Sequence, residues 1–173
     1  MIEIEKKTIS YDKLDVLPMT EEYSRLISSW KYDDEHSFYD HDEGNIEGYL
    51  DSTHFACISA DGELIGYFCF GDDARIPTIE EDVYDDSFLD IGLGLKPDLC
   101  GKKLGLMFLN KGLDYAQKSF NTECFRLSVA AFNKRAIRVY EQAGFITKYE
   151  VTNSYFKNKF LIMISDGRAA QLD

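Results

Sequence analysis

Apolar side chains recur along this 173-residue chain at two different spacings, and each spacing predicts an element. Leu104, Phe108, Leu109, Leu113 and Ala116 keep to one face of a helical period and predict a helix running to about Phe120. Ala136, Ile137, Val139, Tyr140 and Ala143 draw a second apolar stripe. Asn133 stands ready to accept that helix's first free N–H groups, and Gly144 supplies a left-handed stop. Shorter, denser apolar runs predict strands at His54–Ser59 and Glu63–Phe70, joined at Asp61-Gly62, a strong tight-hairpin signal. Further strands are predicted at Phe88–Leu95, which Pro97 ends, at Phe125–Ala131, and at Phe145–Thr152 and Lys159–Ser165.

The N-terminal part is less regular. Ile2 to Ile9 alternates weakly and predicts a first strand, and Thr20 before Glu21 and Glu22 predicts a capped helix to about Trp30. Lys31 to Glu43 is polar and aromatic together, keeps neither period and reads as a loop before a short helix near Ile46–Asp51. Gly71 to Ser87 reads as an acidic loop. The order strand, helices, three strands, helix, strand, helix, two strands predicts a single α/β (α+β) domain over residues 1–173. Strand Phe88–Leu95, its following helix and strand Phe125–Ala131 make a βαβ unit, whose strands lie parallel with a right-handed crossover.

Composition narrows the class. A hydrophobic content of 45% with three prolines excludes a disordered chain. No apolar run approaches the roughly 20 residues that span a bilayer. Met-Ile-Glu-Ile-Glu-Lys-Lys carries no basic-then-apolar secretion signal, and Cys57, Cys69, Cys100 and Cys124 are irregularly spaced. We therefore expect reduced thiols, a cytoplasmic chain, and no metal site or disulfide framework. The net charge of −12 argues against nucleic-acid binding. Residues 1–90 hold 24 acidic and 6 basic side chains, whereas residues 91–173 hold 7 and 13. That division is either solvated surface or a division of labour, with an anionic ligand on the C-terminal part and a cationic one facing the N-terminal part.

Two segments carry chemistry. A helix start after a parallel strand gathers unpaired N–H groups and the positive end of the helix dipole, a combination that binds phosphate. Gly101 and Gly105 bracket Lys102 and Lys103 at such a point. The segment is not a Walker loop, lacking Gly-Lys-Ser/Thr, nor a Rossmann fingerprint, lacking Gly-x-Gly-x-x-Gly. Thirty residues on, Asn133 to Phe145 places Tyr140, a hydroxyl-bearing ring, on a mostly apolar helix face.

Together these segments resemble the GNAT superfamily of N-acetyltransferases. Leu93-Gly-Leu-Lys-Pro-Asp-Leu-Cys-Gly-Lys-Lys-Leu-Gly105 is similar to the family's strand and pyrophosphate loop, and Asn133-x-x-Ala-Ile-x-x-Tyr-Glu-x-x-Gly-Phe145 to its second cofactor motif. The wording from Asp90 to Pro97 is loosely similar to the branch that acetylates protein N-termini and small amines. The resemblance covers nearly the whole chain. It implies a central mixed twisted sheet of about six to seven strands, flanked by about four helices, with splayed parallel strands in its middle. It implies acetyl-CoA as cosubstrate, no metal, and a possible homodimer.

By the same resemblance, Leu93, Gly94 and Leu95 would hold the pantetheine arm through backbone groups, with the Leu95 amide as oxyanion donor. Gly101, Lys102, Lys103, Leu104, Gly105 and Leu106 would hold the pyrophosphate. Asn133 would contact pantetheine as well as cap its helix, and Tyr140 would protonate the departing thiolate. Two positions depart from the family pattern. Cys100 stands in place of Arg or Gln, and Lys103 in place of Gly, where a helix-like φ would tolerate it. Cys100 reads as a packing substitute and not a nucleophile.

The proton acceptor for the amine is less defined. Asp90 is either that base or only a residue at the start of a strand, and Ser128 cannot act as one. Trp30, Tyr32, Tyr39 and Asp40 offer aromatic faces beside carboxylates, suited to an ammonium acceptor. The alternative is that these aromatics are core anchors. His36, His41 and His54 read as surface or local hydrogen-bonding residues. The expected function is acetyl transfer from acetyl-CoA to a cationic primary amine, namely a small amine, an amino acid, or a protein N-terminus or lysine. The alternative is a non-catalytic acyl-CoA-binding domain.

Overall fold

Seven strands form one mixed sheet in the order β1-β2-β3-β4-β5-β7-β6, in a computed structural model that describes residues 9–33, 36–37, 50 and 52–167. The strands are β1 (Asp15–Pro18), β2 (His54–Ile58), β3 (Leu64–Phe70), β4 (Leu89–Leu95), β5 (Phe125–Ala130), β6 (Ile146–Thr152) and β7 (Lys159–Ser165). All neighbours are antiparallel except β4 and β5. Three α-helices lie among the described residues: α1 (Glu21–Ser28), α2 (Gly105–Phe120) and α3 (Lys134–Gln142).

The strand predicted from Ile2 falls outside the described residues, apart from Ile9, as does the helix predicted near Ile46–Asp51, apart from Leu50. The sheet's first described strand is Asp15–Pro18, which no alternation announces because three of its four residues are exposed. The Thr20 cap forms as expected, its Oγ1 accepting from Tyr23 N–H at 3.2 Å. The Asp61-Gly62 turn also forms, with Gly62 at φ +79 and its N–H donating to Ser59 O at 2.9 Å.

The pleat sorts side chains to two faces. Ile91, Leu127, Val129 and Met163 point to the face covered by Phe108 and Leu109 of α2 and Ile137 of α3, forming the largest core cluster. The opposite face carries two separate covers. Ile27 of α1 and Trp30 pack on Ala56, Ile58 and Leu64 at one end. Val83, with Ile76 and Tyr84 from the 71–88 segment, packs on Ala130, Phe160 and Ile162 at the other. Between these two covers lies the junction of β4 and β5.

Candidate active site

The parallel strands meet over only two residue pairs, Leu89 with Phe125 and Asp90 with Arg126. Beyond them β4 stays with β3, Ile91 to Leu95 pairing Phe70 to Gly66, and β5 stays with β7, Leu127 to Ala130 pairing Met163 to Phe160. The inner edges of the two strands therefore separate into a fork, closed at Asp90 and open toward Leu95 and Ala130. Backbone groups on an edge released from its ladder need other partners, which is what an extended ligand arm supplies. At the mouth, Tyr32 Oη donates to Leu95 O at 2.9 Å. Cys100 Sγ donates to Leu95 O and Lys96 O at 3.7 and 3.6 Å. Burial pushes the Cys100 thiol up although nearby Arg135 pulls it down, so it stays a neutral packing group as the sequence suggested.

The loop after β4 turns through a 3-10 segment at Pro97–Leu99 and then twice takes left-handed backbone, at Gly101 (φ +74) and Lys103 (φ +62). Lys103 corrects the expected helix-like φ: the lysine sits in the conformation that glycine favours. Leu104 precedes α2 without a side-chain cap, and Phe108 N–H to Leu104 O, at 3.0 Å, is the first bond of the helical pattern. The amides of Gly105, Leu106 and Met107 thus head the helix with no carbonyl behind them. A Cβ on Gly105 would come 3.2 Å from Val139 Cγ2, so α2 and α3 converge at this end. Arg135, in the first turn of α3, lays Nη1 against Gly101, 3.3 Å from where a Cβ would stand. It joins Lys102 and Lys103 as a third cation there, and its sequence position alone gave no sign of it.

Asn133 caps α3, its Oδ1 accepting from Ala136 N–H at 3.2 Å. Gly144 ends that helix region at φ +96. Tyr140 packs against the main core, with its ring 6.2 Å from that of Phe145.

A family model described as the acetyltransferase (GNAT) family matches residues 18–145. The chain belongs to the GNAT acetyltransferase family. No curated protein sequence matches it. An acetyltransferase (GNAT family) from Bacillus anthracis shares the fold at TM-score 0.70 and 13% identity, over 92% of this chain and 98% of that one. A dodecameric spermidine N-acetyltransferase from Vibrio cholerae matches at TM-score 0.66 and 18% identity, over 93% and 98%. A spermidine/spermine N-acetyltransferase from the same organism, in complex with manganese ions, matches at 0.64 and 17%, over 90% and 93%. This GNAT protein is an N-acetyltransferase by family, and that family uses acetyl-CoA as cosubstrate.

In this GNAT domain Asp90 is not placed as a base. It is 1% exposed, and each of its oxygens accepts from Arg126, through Nε and Nη2, both at 2.7 Å. Arg75 Nε adds a third bond at 2.9 Å. Asp90 also lies five strand residues from Leu95, about 16 Å at roughly 3.3 Å per residue. Burial pulls the Arg126 guanidinium down, but the bonds and charge of Asp90 more than offset it and hold it above the ordinary arginine value. The carboxylate is a structural clamp.

Of the acceptor-side residues, Tyr32 reaches the fork, Trp30 stands behind it in the α1 cluster, and Tyr39 and Asp40 lie outside the described residues. Trp30 is buried, its ring 6.2 Å from Tyr67, and the Tyr67 ring fills the space where a Cβ on Gly94 of the neighbouring strand would stand. Trp30 therefore serves as a core anchor, while Tyr32 touches the mouth directly. His36 packs edge-on against Phe132, at 5.9 Å, just past the end of β5. Tyr32 and His36 thus touch opposite sides of the opening. His54 bonds locally, Nδ1 lying 3.3 Å from Thr53 Oγ1. Among the described residues, no group of three His, Cys, Asp or Glu side chains could hold a metal ion. No helix among them is long and apolar enough to cross a membrane.

Proposed function

We propose that the protein acetylates a cationic primary amine by direct attack on acetyl-CoA within a ternary complex. The observation that carries this reading is the fork, open between Leu95 and Ala130 and flanked on one side by a cationic helix start. Leu93, Gly94 and Leu95 would receive the pantetheine arm. The Leu95 amide would stabilise the oxyanion that forms as the amine adds to the thioester carbonyl. Gly101 to Leu106 would hold the pyrophosphate, with Lys102, Lys103 and Arg135 supplying charge.

The positive-φ backbone at Gly101 and Lys103 supports that fit, because it turns successive N–H groups toward one side of the loop. Tyr140 would give its proton to the leaving sulfur. Asn133 would position the arm while capping α3.

The charge division supports a cationic acceptor, and Tyr32 at the mouth offers it an aromatic face. Neighbours named as spermidine acetyltransferases share this fold, which makes polyamines the first acceptors to test, ahead of amino acids and protein N-termini or lysines. Four free cysteines support a cytoplasmic setting, and a homodimer is the assembly the family resemblance offers. The test is amine-dependent thiol release from acetyl-CoA across a panel of polyamines, amino acids and peptides. Tight CoA binding with no release for any amine would instead assign the chain a non-catalytic acyl-CoA-binding role.

A further inference from the structure

Past the closed end of the fork, each strand alternates its side chains between the two faces of the sheet. On the face away from α2 and α3, β4 presents Asp90, Gly92 and Gly94, and β5 presents Arg126, Ser128 and Ala130. With Asp90 and Arg126 locked together, Ser128 is the polar side chain the fork's own strands offer there. It is half-buried, whereas its strand neighbours Leu127 and Val129 are buried.

Its oxygen is held in place. Ser128 Oγ lies 2.6 Å from Tyr84 Oη, and that phenol oxygen also accepts Ile76 N–H at 3.1 Å. Either hydroxyl can donate in that contact, and in both cases Ser128 Oγ keeps at least one lone pair for a further partner. Burial raises the Tyr84 pKa, so the phenol keeps its proton. The tyrosine ring contacts two guanidinium groups, Arg126 at 4.9 Å and Arg75 at 5.3 Å from its centroid, and both bind Asp90. A continuous chain of contacts therefore runs from the clamp at the closed end to the hydroxyl inside the fork. The segment that delivers Tyr84, residues 72–88, holds seven acidic side chains against one arginine, a field that draws ammonium groups to this face.

We propose that Ser128 Oγ, presented by Tyr84, receives the acceptor nitrogen and aims its lone pair at the thioester. This rests on the acetyl-transfer reading above. The ammonium first gives one proton to water. The resulting amine donates an N–H hydrogen bond to the free lone pair of Ser128, and its own lone pair forms the C–N bond to the acetyl carbon. The C–S bond breaks with its electron pair going to sulfur, which takes a proton from Tyr140. The nitrogen's surplus proton restores Tyr140, leaving the amide and the free thiol. Ser128 touches the substrate, and Tyr84 acts through it as a positioning residue.

The test is steady-state kinetics with spermidine and acetyl-CoA on the full chain, together with calorimetric CoA binding, for Ser128→Ala, Ser128→Thr, Tyr84→Phe and the Ala/Phe double variant. We expect Ser128→Ala to raise the spermidine KM about tenfold, the worth of one hydrogen bond, with CoA affinity unchanged. Thr should recover most of the loss, Tyr84→Phe should reproduce it, and the double variant should be no worse than either single one. An unchanged spermidine KM in Ser128→Ala, a loss shared equally by CoA binding, or additive effects in the double variant would each overturn the assignment while wild-type turnover stands. Failure of the wild type to acetylate spermidine or any other amine of the panel would overturn the parent reading, and this one with it.

Discussion

Asp90 and Arg126 face each other across the last pair of the parallel ladder, and their side chains repeat that pairing with two hydrogen bonds of 2.7 Å. The backbone ladder stops where the ion pair begins. A bidentate carboxylate–guanidinium contact fixes orientation as well as distance, so this couple ties the two strands together at the closed end of the fork. Both side chains are about 2% exposed, and removing one leaves the other buried with only a more exposed partner, Arg75 for Asp90 or Asp85 for Arg126.

Asp90→Asn should therefore cost about 3–5 kcal/mol of stability, in the range for breaking a buried pair. Replacing both partners by apolar residues of similar volume, Asp90→Leu with Arg126→Met, should cost far less. Denaturant unfolding of the three proteins reads the difference. A fully stable Asp90→Asn that had lost all turnover would instead return the base role to Asp90.

Lys103 should carry measurable strain. Its φ of +62 is left-handed, which costs a residue with a Cβ on the order of 1–2 kcal/mol. Lys103→Gly should raise stability by about 1 kcal/mol and weaken CoA binding several-fold through the lost charge. Thermal unfolding and calorimetry on one sample pair measure both signs. Lys103→Asn, which tolerates the same backbone, separates charge from strain.

Gly94→Ala should damage the mouth of the fork, since a Cβ there would overlap the Tyr67 ring. Overpacking of this kind costs roughly 1–3 kcal/mol. Because the ring also contacts Trp30, the displacement reaches the acceptor side. Spermidine KM should rise in this variant, and Tyr67→Leu in the same chain should restore stability.

Cys57 should give the protein an alkaline limit. Burial pushes its thiol up to about 12 from 9.0, with Lys111 pulling the other way. The unfolded chain releases this proton near 9, while the folded chain keeps it to about 12. The stabilising effect is thus complete below about pH 9 and is lost as pH rises toward 12. Cys57→Ala should flatten the fall in stability over that window, as followed by urea midpoints at successive pH values.

Much of the architecture is legible in local sequence. The Asn133 cap, the Gly144 stop, the Asp61-Gly62 turn and the crossover helix all express rules that act within a few residues, and the structure forms each of them. What stayed hidden depends on distance or on exposure. Asp90 and Arg126 are 36 positions apart and Tyr84 and Ser128 are 44 apart, so no spacing rule connects them. β1 escaped because exposed edge residues need not alternate. Lys103 escaped because a lysine carries no signal for positive φ. Arg135 reads as an ordinary helix residue until Gly101 is brought against it.

The most direct test of acetyl transfer at the fork is thiol release from acetyl-CoA by wild type and Tyr140→Phe, with and without spermidine. The account predicts release that depends on the amine in wild type. In Tyr140→Phe it predicts a rate lower by roughly 10²-fold, with CoA affinity within about twofold. Full-rate release by Tyr140→Phe, or CoA binding without amine-dependent release by wild type, would contradict it.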